Sequence, residues 1–119
     1  LMALADGRLL WRVLDNLLSN VCKYALAGTR VYVDLGERSG RVFLTVKNIS
    51  RDPLNVSVDE LMERFVRGDA SRHTEGSGLG LNIARSLMDL MGGTFELGVD
   101  GDLFKAELTL RAAAEMTLL

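Results

Sequence analysis

The sequence predicts an α+β fold, a two-layer α/β sandwich in which helices pack on one face of a sheet. Three observations lead there. Two well-separated segments carry apolar residues at three-and-four spacing; four short segments alternate apolar with polar residues and pair across turn signals; and the elements follow in the order helix, hairpin, long loop, helix, hairpin. At 119 residues, with 48% hydrophobic and 25% charged residues, the chain fits one globular domain, 1–119, that can bury a core.

From Arg8 to Ala25, the residues Leu10, Val13, Leu14, Leu17, Leu18 and Val21 keep helical spacing. "RVYVDLGE" from Arg30 and "RVFLTVKN" from Arg41 then alternate, with Val31, Val33 and Leu35, and Val42, Leu44 and Val46, on one face. "RSG" separates them, so they form a hairpin. After Asn48 the pattern dissolves into "ISRDPLNV", which holds the only proline. Ser57 and Glu60 match a capping box before a short helix, Asp59 to Phe65, and "VRGDASRHTE" beyond it is polar and aperiodic. The span from Ile49 to Glu75 therefore reads as a long loop, and loops of that length in compact domains are functional lids or disordered. "GSGLG" leads into a second helix with Ile83, Ala84, Leu87, Met88 and Met91 on one face, and Gly92 stops it. "TFELGV" and "LFKAELTL" alternate around "DGD", a strong hairpin signal. The tail "AAAEMTLL" has no assignment, and no internal repeat or low-complexity segment is present.

Composition excludes several function classes. Fourteen basic against sixteen acidic residues give a formal charge of -2, so no overall field favours nucleic acid or an anionic membrane, and any anion site must be local. One cysteine, Cys22, excludes an internal disulfide framework and fits a reducing, cytoplasmic compartment. No apolar run approaches the roughly 18 residues of a membrane helix, and the N-terminus lacks the regions of a signal peptide. The chain starts abruptly, as a fragment of a longer protein would.

Two features carry chemistry. Gly76, Gly78 and Gly80 precede a helix start, where unpaired amides and the helix dipole attract phosphate and glycine allows close approach. The spacing is not that of a dinucleotide-binding turn, nor do Leu81 and Asn82 supply the Lys and Ser or Thr of a P-loop, so on pattern alone a flexible hinge is an equal reading. In the first helix, Asn16, Asn20 and Lys23 fall at i, i+4 and i+7, within roughly 60° of one another at about 100° per residue. That stripe should lie at the rim of the buried layer. Its bland reading is a solvated polar edge; its functional reading is a carboxamide oxygen donor for Mg²⁺, which prefers oxygen ligands and keeps waters beside phosphates.

"LDNLLSNVCKYA" resembles the N box of the ATP-binding domain of sensor histidine kinases, in the superfamily that includes Hsp90, DNA gyrase and MutL. "LMERFVRGD" resembles their F box, and "EGSGLGLNIARSLMDLMGG" their second glycine box, with the boxes in the family's order across nearly the whole chain. The resemblance implies a Bergerat fold, with a mixed, largely antiparallel sheet and a long ATP lid. It implies that Asn20 coordinates Mg²⁺, that Asn16 supports the metal or its waters, and that Lys23 and Tyr24 reach the triphosphate. It implies that Gly76, Gly78 and Gly80 bring amides to the phosphates while Leu79 and Leu81 hold the loop against the core. Phe65 would anchor the lid, and Arg67 and Arg72 would meet the γ-phosphate on closure or remain solvated. One box departs from the family: Asn48 stands where an Asp usually accepts the adenine amino group, and Ser50 where a Gly follows.

The implied activity is donation of the γ-phosphate of Mg·ATP to a histidine on a separate dimerisation domain, with a response regulator downstream. Neither nucleic acid nor direct membrane contact is implied. Such transfer needs positioning and charge neutralisation rather than a covalent nucleophile. His73, the only histidine, lies in the expected lid without the surroundings of a phosphoacceptor, and the acceptor histidine is absent from these residues. Two alternatives are a nucleotide sensor without phosphotransfer and an anti-sigma-type serine kinase or ATP-driven module of the same superfamily.

Overall fold

The computed structural model describes residues 2–51 and 79–113. Asp6 opens the first helix, α1 (Gly7–Tyr24): its carboxylate accepts the amides of Arg8 and Leu9 at 2.9 and 3.1 Å, satisfying donors that a helix start leaves open. Val13, Leu17 and Val21 recur every four residues and form its buried stripe. Lys23 stands in the last turn, where the dipole favours a cation.

β1 (Tyr32–Arg38) and β2 (Arg41–Ile49) are joined by Ser39 and Gly40, with φ of 51° and 77°. Two left-handed residues make the mirror-image turn whose twist suits a hairpin. The second helix, α2 (Leu79–Leu90), ends at Gly92 (φ 75°), where the Gly93 amide donates to the Met88 carbonyl at 2.9 Å and the Gly92 amide to that of Asp89 at 3.0 Å. Gly93 allows close approach as well, since a Cβ there would sit 2.2 Å from the Thr109 carbonyl oxygen. β3 (Thr94–Asp100) and β4 (Leu103–Arg111) close the second expected hairpin around Gly101 and Asp102.

The sheet runs β1-β2-β4-β3, and every pairing among the described residues is antiparallel. Both helices cover one face. Val13, Leu17 and Val21 of α1 and Leu81, Ala84 and Met88 of α2 pack with Val46 of β2, Phe95 of β3, and Phe104, Ala106, Leu108 and Leu110 of β4. On the opposite face the Thr45 hydroxyl donates to Glu107 at 3.0 Å, and Arg38 pairs with the same carboxylate at 3.1 Å while lying over the Phe43 ring. An element with no sequence signal is the short pairing of Ala3 with Ala112, in which the Leu4 amide donates to the Arg111 carbonyl at 2.8 Å.

Three expectations need adjustment. Val31, Val33 and Leu35, which alternate like core residues, are 41%, 57% and 63% exposed: Val31 precedes β1, and Val33 and Leu35 lie on that edge strand, which among the described residues adds nothing to the core cluster. The second helix begins at Leu79, so Gly80 lies in its first turn instead of before it. Ile49 is the last residue of β2 and Ser50 bridges to Ala25, so the loop expected from Ile49 starts later. The helix expected at Asp59 to Phe65, its Ser57 and Glu60 box and the lid lie outside the described residues. Among the described residues no helix is long and apolar enough to cross a membrane.

Candidate nucleotide site

α1 and β2 converge at one end of the sandwich. Beyond Tyr24 the chain turns extended and lies antiparallel to the end of β2: Ala25 bridges Ser50, the Leu26 amide donates to the Ile49 carbonyl at 2.8 Å, and the Arg51 amide donates to the Tyr24 carbonyl at 2.9 Å. From the other side, the Ser50 amide donates to the Asp102 carbonyl at 2.7 Å, so the β3–β4 turn grips the same residues. This clamp was not legible in the sequence, since it is built from backbone groups that any side chain supplies.

Two asparagines are buried among apolar neighbours. Asn20 lies one turn before Tyr24, on the stripe of Leu17 and Val21, and is 4% exposed. It is thus deeper than the rim position expected from its spacing, whereas Asn16, Lys23 and Tyr24 are half-buried as a rim requires. Asn48 continues the inward series Val42, Leu44 and Val46 on the helix-covered face, opposite Phe104 in register, and is 3% exposed.

The buried polar residues divide sharply. Thr45 bonds to Glu107, and Ser50 is held through its backbone. Among the described residues, the buried side-chain polar atoms without a hydrogen-bond partner are Oδ1 of Asn20 and Oδ1 of Asn48. Leaving a buried acceptor unpaired costs about 1 to 3 kcal/mol, and folded proteins rarely tolerate it without cause. Asn20 lies one turn before the end of α1 and Asn48 two residues before Ser50, so both unpartnered atoms stand near the ends of the elements that the clamp joins.

The donor chemistry suits a hard cation at Asn20. A neutral carboxamide oxygen is an oxygen ligand of the kind Mg²⁺ accepts alongside water and phosphate. Among the described residues no three His, Cys, Asp or Glu side chains group as a metal cage. Leu81 is 1% exposed and fixes the first turn of α2 into the core. Leu79 and Gly80 belong to that turn; Gly76, Gly78, Phe65, Arg67, Arg72 and His73 lie outside the described residues.

Residues 5–113 match the family model described as histidine kinase-, DNA gyrase B-, and HSP90-like ATPase. The chain is 35% identical over 109 residues to the probable sensor protein PcoS of Escherichia coli, covering 88% of this chain and 23% of that protein. It is 35% identical over 92 residues to the sensor histidine kinase HprS of Escherichia coli, covering 76% and 20%. The chain therefore spans about a quarter or less of these relatives. Among solved structures, full-length ShkA in complex with AMPPNP superposes with a TM-score of 0.69 at 28% identity, over 94% of this chain and 24% of that one. The Acinetobacter baumannii histidine kinase AdeS shares the fold with a TM-score of 0.69 at 20% identity, over 90% and 47%. With the two helices of the described residues on an open antiparallel sheet, its relatives among sensor histidine kinases and a family match over nearly its whole length, the chain belongs to the histidine kinase-, DNA gyrase B-, and HSP90-like ATPase family.

Proposed function

We propose that this chain is the ATP-binding catalytic domain of a sensor histidine kinase, which holds Mg·ATP and delivers its γ-phosphate to a histidine on a separate dimerisation domain. The single observation that carries the proposal is the pair of unpartnered carboxamide oxygens, Asn20 and Asn48, buried near the ends of the elements that the clamp joins. Asn20 holds the metal, and Asn16 steadies it or its waters. When bound, Mg²⁺ neutralises phosphate charge. Lys23 and Tyr24 reach the triphosphate, and Asn48 faces the purine. The amides of Gly76, Gly78 and Gly80 cradle the phosphates, and Leu79 and Leu81 hold that turn against the core. Phe65 anchors a lid from which Arg67 and Arg72 meet the γ-phosphate. The chain's contribution is orientation and charge complementarity, since no side chain is asked to form a covalent bond.

The partners of this reading are the dimerisation domain of the same full-length protein and a downstream response regulator in the cytoplasm. Asn48 and Ser50, standing where the family has Asp and Gly, favour one second reading, a nucleotide sensor that does not transfer phosphate. One experiment separates the two. The chain should bind ATP with a strong Mg²⁺ requirement, acquire no acid-labile phosphate itself, and label a cognate histidine domain added in trans, slowly because tethering is lost. Binding without transfer selects the sensor, and acid-labile phosphate on the isolated chain overturns both.

A further inference from the structure

We infer that the base site accepts 6-oxo purines as well as 6-amino purines, so that inosine and guanine triphosphates bind alongside ATP. The inference rests on the reading above in one respect, that Asn48 faces the base. Asn48 sits at the end of the inward-facing series of β2, 3% exposed, opposite Phe104, and its Oδ1 has no partner. A buried carboxamide is ordinarily oriented by the groups that bond it, because its oxygen and its NH₂ differ in hydrogen bonding and hardly in shape. Here nothing among the described residues bonds that oxygen, so no contact at Oδ1 holds the amide in one of its two orientations.

A half-turn about the terminal torsion therefore exchanges an acceptor for a donor at the same place. A 6-amino group donates and meets Oδ1; a 6-oxo group accepts and meets Nδ2. A carboxylate at this position has only acceptors and repels a 6-oxo group held in the same pose. The backbone cannot shift to compensate, because Ile49, Ser50 and Arg51 are each hydrogen-bonded to the end of α1 or to the β3–β4 turn. Selectivity at the 6-position thus resides in the side chain of residue 48, and an asparagine there is permissive.

The test is calorimetric titration of Mg·ATP, Mg·ITP and Mg·GTP into the 119-residue chain and into Asn48→Asp and Asn48→Leu, with thermal unfolding as a check on folding. ITP is the deciding ligand, since it carries the 6-oxo group without the 2-amino group that GTP adds. The wild type should bind ITP within about tenfold of ATP, and Asn48→Asp should widen that gap by about 10- to 100-fold in favour of ATP. Asn48→Leu, which neither donates nor accepts, should weaken ATP and ITP by similar factors, and it decides the matter if the aspartate variant does not fold. ITP binding more than tenfold weaker than ATP, or a loss confined to ATP in Asn48→Leu, overturns the permissive base site while leaving the ATP-binding reading intact. Failure of the wild type to bind any of the three overturns both.

Discussion

Truncating Asn20 to alanine sets the fold against the site in a way that can be measured. Two terms oppose each other in the ligand-free chain. Removal of the unpartnered Oδ1 relieves a buried acceptor worth about 1 to 3 kcal/mol. Removal of a carboxamide from a position only 4% exposed leaves a small void and loses packing, which costs about 1 to 2 kcal/mol. The net change should lie within about 1 kcal/mol of zero, so Tm without ligand should move by no more than about 5 °C for a domain of this size. Ligand tells a different story. At a nucleotide concentration about 100 times Kd, Mg·ATP stabilises the wild type by about 2.7 kcal/mol, a rise of roughly 8 to 14 °C. In Asn20→Ala that rise should disappear, and the remaining affinity should no longer depend on Mg²⁺. Differential scanning fluorimetry with ATP in magnesium or in EDTA reads both terms. A fall of 10 °C or more without ligand would mean that Asn20 is a structural residue, and a full Mg²⁺-dependent rise in the mutant would mean that it holds no metal.

The packing scheme makes further predictions. Gly93→Ala should destabilise the chain by more than about 2 kcal/mol in urea unfolding, because its Cβ would meet the Thr109 carbonyl oxygen at 2.2 Å. Gly92→Ala, strained only by its φ of 75° with open space around it, should cost about 1 kcal/mol. Leu17→Ala, at a fully buried position of α1, should cost about 2 to 5 kcal/mol, whereas Leu35→Ser on the exposed edge strand should change stability by less than about 0.5 kcal/mol.

The fold was legible because local signals and tertiary packing agree over most of the chain. The three-and-four repeat of α1, the "RSG" and "DGD" turns, and Gly92 each state a local geometry that the packing then uses. Disagreement appears where the needed information is not local. Val33 and Leu35 alternate as core residues do, and only strand order puts them at an edge beyond the helices. The Ala3–Ala112 pairing joins residues at opposite ends of the chain through backbone groups alone, so no periodicity could announce it.

Part of the candidate site was legible for the opposite reason, that Asn16 and Asn20 interrupt the helical pattern, whereas Asn48 was singled out only through the family resemblance. A helix stripe of Val13, Leu17 and Val21 has no packing use for an asparagine at position 20, and a strand face of Val42, Leu44 and Val46 has none at position 48. Spacing alone could assign Asn20 only to a rim, because periodicity fixes the direction of a side chain and says nothing about how far a neighbouring layer reaches over it. Burial resolves the ambiguity and sharpens the meaning. An exposed asparagine satisfies itself with water at no cost, whereas a buried one without a partner lowers stability in every molecule that carries no ligand. Asn20 and Asn48 each bear that cost while Thr45, equally buried, is paired with Glu107. Ordinary packing requirements would replace either asparagine with leucine or valine. On the proposed reading, a ligand whose own donors and cation complete the bonds that the fold leaves open accounts for their presence.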